Sequence, residues 1–490
     1  MVLIAAIFAF LAFSSAALAE EALPGMNLKL NEIDRRLERG LNWGGSLEVE
    51  DNIYKDKAYN GRMRQEALVR AHLKPTITQE KFEVYSDIFA RADAENVDRN
   101  GLRFNEGYVL LNASNSFRLK AGKIIYSWGS AQFYNPTDVI NPVDYYDAFY
   151  PEKLGVMAID FTIKPFSGFS FQAGLLPVFE PSVFENAESR WIDYSRILRE
   201  AVLAKASYPS NIVSASDVDF SVKRNIGTRP QFFARSTANL MNFDVSLMYV
   251  YRYNHVPSDL LLYSSTTYDF INNRPLVEVE ALPYYRQEHL VGADVSFPFF
   301  GTVMFFEGTY SAPISHVSGV SSLEQIQNLN RLGLGTNLTS QDIENKSQIS
   351  PMSVATGGLR KDWSKVHVAL QYARAFFFGP NRPGELFQAV VKAAAPSLAN
   401  EVSPADFYKF TSGAILSGAS IDFSNRVSWS LGGIINTQQT GYLAHTKVEY
   451  KWREDFKLAL GLEYLNGKSG SIFHYFNRNS KLSLGLSVFF

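Results

Sequence analysis

The sequence predicts an all-β transmembrane barrel, antiparallel and up-and-down, of about eighteen strands with long extracellular loops that carry short helices. Three observations predict it. Apolar and polar residues alternate with a period of two through many segments of about ten residues, the length that crosses a bilayer when tilted. The connections between those segments alternate between short and long. The final segment places Leu482, Leu484, Leu486, Val488 and Phe490 on one parity and Ser483, Gly485 and Ser487 on the other. In water that strand would be an exposed apolar edge, whereas a barrel pairs it with the first strand and turns its apolar face to lipid.

Composition narrows the alternatives. The 47 Lys and Arg nearly balance the 49 Asp and Glu, so no global charge points to nucleic acid as a partner. The absence of cysteine rules out disulfides, thiolate metal sites and a Cys nucleophile. A mean hydropathy of -0.10 is not that of a helical membrane protein. Aromatic residues at 14 % suit two interfacial girdles.

The elements follow in order. Residues 1–19 read as a signal peptide: Val2 to Ala19 is the one apolar run near spanning length, and it ends Ala17-Leu18-Ala19 before Glu20-Glu21. No Lys or Arg precedes Lys29, so the basic start of such a leader is missing from the recorded sequence. An uncleaved anchor is the competing reading. Residues 20–42 form a periplasmic segment with a short helix, in which Leu30, Ile33 and Leu37 recur at helical spacing. Residues 43–490 form the barrel. Its strands are expected at 43–54, 62–75, 81–92, 103–112, 115–124, 154–164, 169–177, 228–237, 243–253, 287–297, 300–311, 352–362, 365–375, 412–423, 427–437, 441–452, 455–466 and 481–490. The patterning is plain in Phe456, Leu458, Leu460, Leu462 and Tyr464, which alternate with Lys457, Ala459, Gly461 and Glu463. Met157, Ile159, Phe161 and Ile163 alternate with Ala158, Asp160 and Thr162 in the same way.

With the amino-terminus in the periplasm, every second connection should be a brief turn. The spans 76–80, 113–114, 165–168, 238–242, 298–299, 363–364, 424–426 and 453–454 meet that requirement. The intervening spans 125–153, 178–227, 254–286, 312–351 and 376–411 are long and extracellular. Helices are expected within them at 193–206, 385–398 and 321–332, where apolar residues recur at helical spacing.

The most distinctive stretch is Gly122-Lys-Ile-Ile-Tyr-Ser-Trp-Gly129 followed by Asn135-Pro-Thr-Asp-Val-Ile-Asn-Pro142, in the third extracellular loop. Asn135-Pro136 and Asn141-Pro142 favour turns or extended backbone, and Asp138 can accept hydrogen bonds from nearby N–H groups. Trp128-Gly129 sets an aromatic anchor beside flexible backbone, and Asp144 stands among Tyr145, Tyr146 and Phe149. The loop therefore reads as tightly shaped.

This stretch resembles the WG…D-x-I/V-N-P signature of a family of uncharacterised Gram-negative outer-membrane barrels, itself similar to porin-type and alginate-export-type barrels. Trp128, Gly129, Asp138, Asn141 and Pro142 carry the match, which covers about twenty residues. The resemblance implies an outer-membrane channel-like protein. By analogy with general porins, loop 125–153, with Asn135 and Asp144, is the constriction candidate. The same residues would equally staple the loop to the wall. A terminal Phe490 after alternating hydrophobes also resembles the signal read by the outer-membrane barrel assembly machinery.

Arg118, Lys120, Asp160, Lys365, His367, Lys447, Glu449 and Lys451 fall on polar parities and are expected to line the lumen, with Lys457 and Glu463. Their mixed signs argue against strong ion selectivity and suit small polar solutes. No nucleophile elbow, H-x-x-x-H pair or dense acidic calcium loop occurs, so neither catalysis, a cofactor nor a metal is expected. His316-Val317-Ser318 is the one close His/Ser pair, and no orienting acid stands near it in the sequence. The expected function is a porin-like channel. A gated barrel moving a hydrophobic compound or polysaccharide, by way of aromatic runs such as Phe376-Phe377-Phe378, is one alternative. A structural or adhesive barrel is another. Expected partners are outer-membrane lipid and lipopolysaccharide, the assembly machinery, and a small-molecule solute; a homo-trimer is among the admissible assemblies.

Overall fold

The computed structural model describes residues 41–57, 64–94, 99–145, 149, 151–183, 190, 218–222, 227–269, 274–314, 350–380, 413–438, 440–469 and 471–490. The expected leader, the segment 20–40 with its helix, the three loop helices and the His316/Ser318 pair lie outside them.

Eighteen long strands form one closed antiparallel sheet. They are β1 Gly45–Tyr54, β2 Gln65–Leu73, β3 Phe82–Asp93, β4 Gly101–Ser114, β5 Phe117–Ile124 and β6 Val156–Phe166. Next come β7 Phe169–Phe179, β8 Gly227–Leu240, β9 Phe243–Tyr253, β10 Gln287–Phe299, β11 Thr302–Pro313 and β12 Met352–Asp362. The last six are β13 Val366–Phe377, β14 Ala414–Asp422, β15 Val427–Asn436, β16 Gly441–Arg453, β17 Phe456–Gly467 and β18 Lys481–Phe489. Each pairs with its sequence neighbour, and β1 pairs with β18 from Ser46↔Phe489 to Tyr54↔Lys481, which closes the cylinder. Two short segments, Leu41–Asn42 and Thr76–Thr78, extend the sheet at the turn end.

The pleat sorts the residues as the alternation requires. Ile159, Leu460 and Leu484 are each about half exposed, at 51 %, 52 % and 58 %, although they are aliphatic and belong to the middle of strands. A continuous surface of this kind is solvated by lipid. Exposed Phe166, Phe243, Phe299, Trp363, Phe423 and Trp452 ring the short-turn end. Tyr310, Tyr372, Phe376, Tyr442 and Tyr464 ring the long-loop end. These are the two aromatic girdles, and they place Phe376 on the exterior, away from any greasy path through the lumen.

The short connections are tight. Phe300 and Gly301 both hold positive φ, 47° and 68°, the mirror-image turn whose twist matches the flanking strands. Two features depart from the expected plan. The connection 254–286 contains a hairpin, Asp259–Asp269 paired with Arg274–Tyr284, joined in parallel by Val218–Val222. Asn272-Asn273 between two β-prone runs is the local signal for it. A one-turn helix, α1 Ile472–Tyr475, sits between β17 and β18, and the Ser471 hydroxyl accepts from the His474 N–H to cap it.

Candidate functional site

The residues after β5 turn into the barrel instead of rising out of it. Asn141 sets that turn. Its Oδ1 accepts from the Tyr126 N–H at 2.7 Å, and its Nδ2 donates to the carbonyls of Ile124 at 3.0 Å and Leu154 at 2.8 Å, clamping the loop's two roots together. Both donors and one acceptor position are used on backbone, which an Asn side chain does well because it carries both donors and acceptors. Pro142 is buried beside it. Trp128 is 4 % exposed and packs edge-on against Tyr126 and Phe233, with the Arg235 guanidinium over its ring.

Beyond Trp128 the loop crosses the lumen and is held by the far wall. Glu307 on β11 accepts from the backbone N–H groups of Ser130 and Ala131 and from the Thr137 hydroxyl at 3.0 Å. Gln371 on β13 accepts from the Phe133 N–H at 2.9 Å and donates to the Tyr134 carbonyl at 2.6 Å. Arg252 on β9 donates to the Val139 carbonyl. Phe133 reaches β14, where its ring lies over Gly418.

Gly129 shows why this chain can make the crossing. Its φ is +94°, and a Cβ there would lie 2.7 and 2.8 Å from the Glu307 carboxylate oxygens and 2.9 Å from Thr137 Oγ1. Gly129→Ala is expected to destabilise the folded barrel by about 1–2 kcal/mol from backbone strain alone. A lowered temperature for loss of heat-modifiable gel mobility would register it.

On its return the loop is tied to the near wall by charge. Asp144 is 4 % exposed and meets Arg91 and Arg103 at 3.4 and 2.9 Å. Glu152 pairs with Arg91, Arg103 and Arg70, and Arg70 also holds Glu50 at 2.7 Å. Phe149 packs on Phe473 and Phe476, around α1. Within the loop, Asp138 pairs with Lys153. Burial pushes its carboxyl above the usual range, opposed by Lys153. Asn135 and Asp138 face a cavity on the loop's inner side.

His255, in the connection after β9, is a further anchor. Its ring nitrogens lie 2.8 and 2.9 Å from the carbonyls of Glu180 and Ile140, and it is buried. Burial first, and the neighbouring Arg252 second, lower its pKa from 6.5 to about 4. The unfolded chain therefore binds the extra proton at a higher pH than the folded one. The stability that the buried neutral ring contributes is fully present above about 6.5 and is lost as pH falls toward about 4. Acidifying through that window should raise open-channel current noise, and His255→Gln should abolish the pH dependence.

The expected lumen residues are dispersed. Asp160 on β6 is buried beneath the loop, accepting from the Tyr126 hydroxyl at 2.7 Å. Lys120 lies over the Tyr108 ring, 3.6 Å from its centroid, and Arg118 follows the same face of β5 toward the short turns. Lys447 meets Glu449 at 2.7 Å on β16. His367 pairs with Asp362 at the short-turn rim, and Lys451 is exposed at the same end. Lys365 differs from its expected place: it lies in the turn before β13, because Trp363 N–H bonds to the Val366 carbonyl and closes the hairpin there.

Two cavities in the lumen lie beside the loop. One, of about 530 Å³, lies between the loop's inner face and the wall from β9 to β16. The other, of about 330 Å³, is a lane between Glu152 and the wall formed by β15–β18, β1 and β2. Ser430, Gly461, Ser483, Gly485 and Ser487 line the lane, and their small side chains keep it open. Among the described residues no group of His, Asp and Glu could hold a metal ion.

No protein-family model and no curated protein matches this chain. Among solved structures it is similar to OccAB4 of Acinetobacter baumannii, at 8 % identity and TM-score 0.47, covering 92 % of this chain and 97 % of that one. It is also similar to OccD3 (OpdP) of Pseudomonas aeruginosa, at 11 % identity and TM-score 0.45, over 92 % and 91 % of the two chains. The outer membrane protein opdK of Pseudomonas aeruginosa is similar at 9 % identity and TM-score 0.44, over 92 % and 99 %.

Proposed function

We propose that this barrel is an outer-membrane channel for passive diffusion of small solutes, with loop 125–153 as its constriction. The observation that carries the reading is the loop's path: it spans the lumen, is fastened on both walls, and leaves a lane lined by serine and glycine. A barrel meant to be sealed would gain by filling that lane with larger side chains, since unfilled space forfeits packing. Trp128, Asn141 and Pro142 act as positioning residues, because they are buried and face backbone or other side chains. Charges of both signs along the lane, with Arg70, Lys447 and Lys481 facing Glu48, Glu50, Glu152 and Glu463, support passage of polar groups with weak ion preference. The leader at 1–19, membrane insertion through Phe490 and association in threes belong to the same reading.

The test is single-channel recording of the refolded mature chain in a planar bilayer. Discrete ohmic steps are expected, with mild selectivity in asymmetric salt. Folded protein that never conducts would overturn the channel in favour of a sealed, adhesive or partner-gated barrel.

A further inference from the structure

The cavity of about 530 Å³ has a lining unusual for an aqueous pore. Its volume falls within the range of small-molecule sites. Phe133, Leu290, Met352, Leu416, Ile434 and Leu443 present apolar faces to it. All but Phe133, which belongs to the loop, lie on lumen parity, where a barrel of this kind carries polar side chains.

Polar residues also border the cavity, and the hydrogen bonds of several of those on the wall side are already used. Asn141 is consumed by three backbone groups. Both His255 nitrogens face carbonyls. Glu288 is 0 % exposed and accepts from Arg252 at 3.0 Å and Ser311 at 2.5 Å, with Arg286 at 2.9 Å. Asn254 Oδ1 accepts from the Val256 N–H. The surface offered to a solute is therefore mainly apolar, with Asn135 Oδ1 and Asp138 Oδ1 as unpartnered acceptors on the loop side, and a sugar entering it would leave most of its hydroxyls unmatched.

One ring stands out. Phe133 is 42 % exposed, yet its backbone is pinned by Gln371 and its ring rests over Gly418, where an added Cβ would lie 2.9 Å from the ring. An exposed aromatic face held rigid inside a lumen is a ready stacking surface, with little ordering entropy left to lose. His445 borders both this cavity and the serine–glycine lane, so the two communicate.

We propose that this cavity is a binding chamber for the ring of a small aromatic or alicyclic solute, stacked on Phe133, whose polar end enters the lane past His445. The proposal rests on the channel reading and names its substrate class. It predicts saturable passage favouring a ring over a smaller polar side chain.

The experiment is swelling of proteoliposomes in isosmotic L-phenylalanine or L-asparagine. Both probes are zwitterions that lipid excludes, so the comparison isolates the side chain. Phenylalanine influx should saturate with concentration and at least equal that of asparagine despite its larger size. Phe133→Ser and Met352→Ser should each lower the phenylalanine-to-asparagine rate ratio by about two- to tenfold, the worth of one ring contact. Heat-modifiable mobility confirms folding of each variant. Unsaturable influx ordered by size, with the ratio unmoved in both folded variants, would overturn the chamber and leave the channel standing. Saturable glucose influx sensitive to the same two changes would overturn the ring assignment in favour of a carbohydrate. Swelling by none of the probes would remove the channel reading itself, and the chamber with it.

Discussion

Deleting residues 129–147 is expected to raise single-channel conductance severalfold. The deletion removes the crossing segment and retains the barrel pairing β5–β6 from Val156↔Ile124 to Ile163↔Phe117. The groups that lose partners include Glu307, Gln371 and Arg252, all on lumen parity, and Arg91 and Arg103, which lose Asp144 and keep Glu152. In the deleted protein they face a water-filled interior and become solvated, so the usual cost of orphaning a buried polar group is avoided. The gain is the full cross-section now occupied by Ser130 to Pro142. Glu152 stays fastened to Arg70, Arg91 and Arg103, so the return limb still shapes one side of the lane. A folded deletion protein that conducts no better than the parent would show that current bypasses this loop.

The second large effect tests which face is which. Leu460→Arg should block assembly, and Gly461→Arg, one residue on, should be tolerated. Leu460 is 52 % exposed on the outer face of β17, opposite Leu484 and Val448. A guanidinium at the bilayer midplane costs roughly 2–4 kcal/mol. Gly461 borders the lane, where a new Cβ meets only the Ser483 hydroxyl at close range, 2.4 Å, a small group free to rotate. The Arg side chain can extend there toward Glu463, at a cost in conductance. Yield of heat-modifiable protein in outer-membrane fractions measures both. Equal yields would overturn this assignment of the strand faces.

The sequence alone located the barrel well because a two-residue period is a local signal. All eighteen expected strands coincide with observed ones to within a few residues, and the alternation of short and long connections follows. Where it fell short, the missing information was long-range. Loop 125–153 is shaped by Asn141 and Pro142, which are visible as turn residues. Its fastenings are Glu307 and Gln371, more than 160 positions away and ordinary to the eye: single polar residues on lumen parity. Gln371 between Ala369 and Ala373 offers a faint cue, a lone long amide flanked by side chains short enough to let backbone approach. The hairpin of 259–284 carries only the local cue of Asn272-Asn273, since a hairpin within a loop obeys no spanning-length rule and no alternation of connections marks it.

The seam between β1 and β18 carries a consequence for how the molecule is made. The Gly45 N–H donates to the Phe490 carbonyl at 2.8 Å, and the Phe490 N–H returns to the Gly45 carbonyl at 3.2 Å. The Phe490 ring covers Gly45 so closely that an added Cβ there would lie 2.5 Å from it. These two residues stand at opposite ends of the barrel sequence, so the contact has nearly the greatest separation along the chain that this fold allows. Loop-closure entropy opposes it, and every earlier hairpin can form without it. Until it forms, the first and last strands both expose unpaired backbone, and either edge can recruit a strand from another chain. Synthesis and closure are therefore separate events, and the interval between them is when this protein depends most on whatever shields an open sheet.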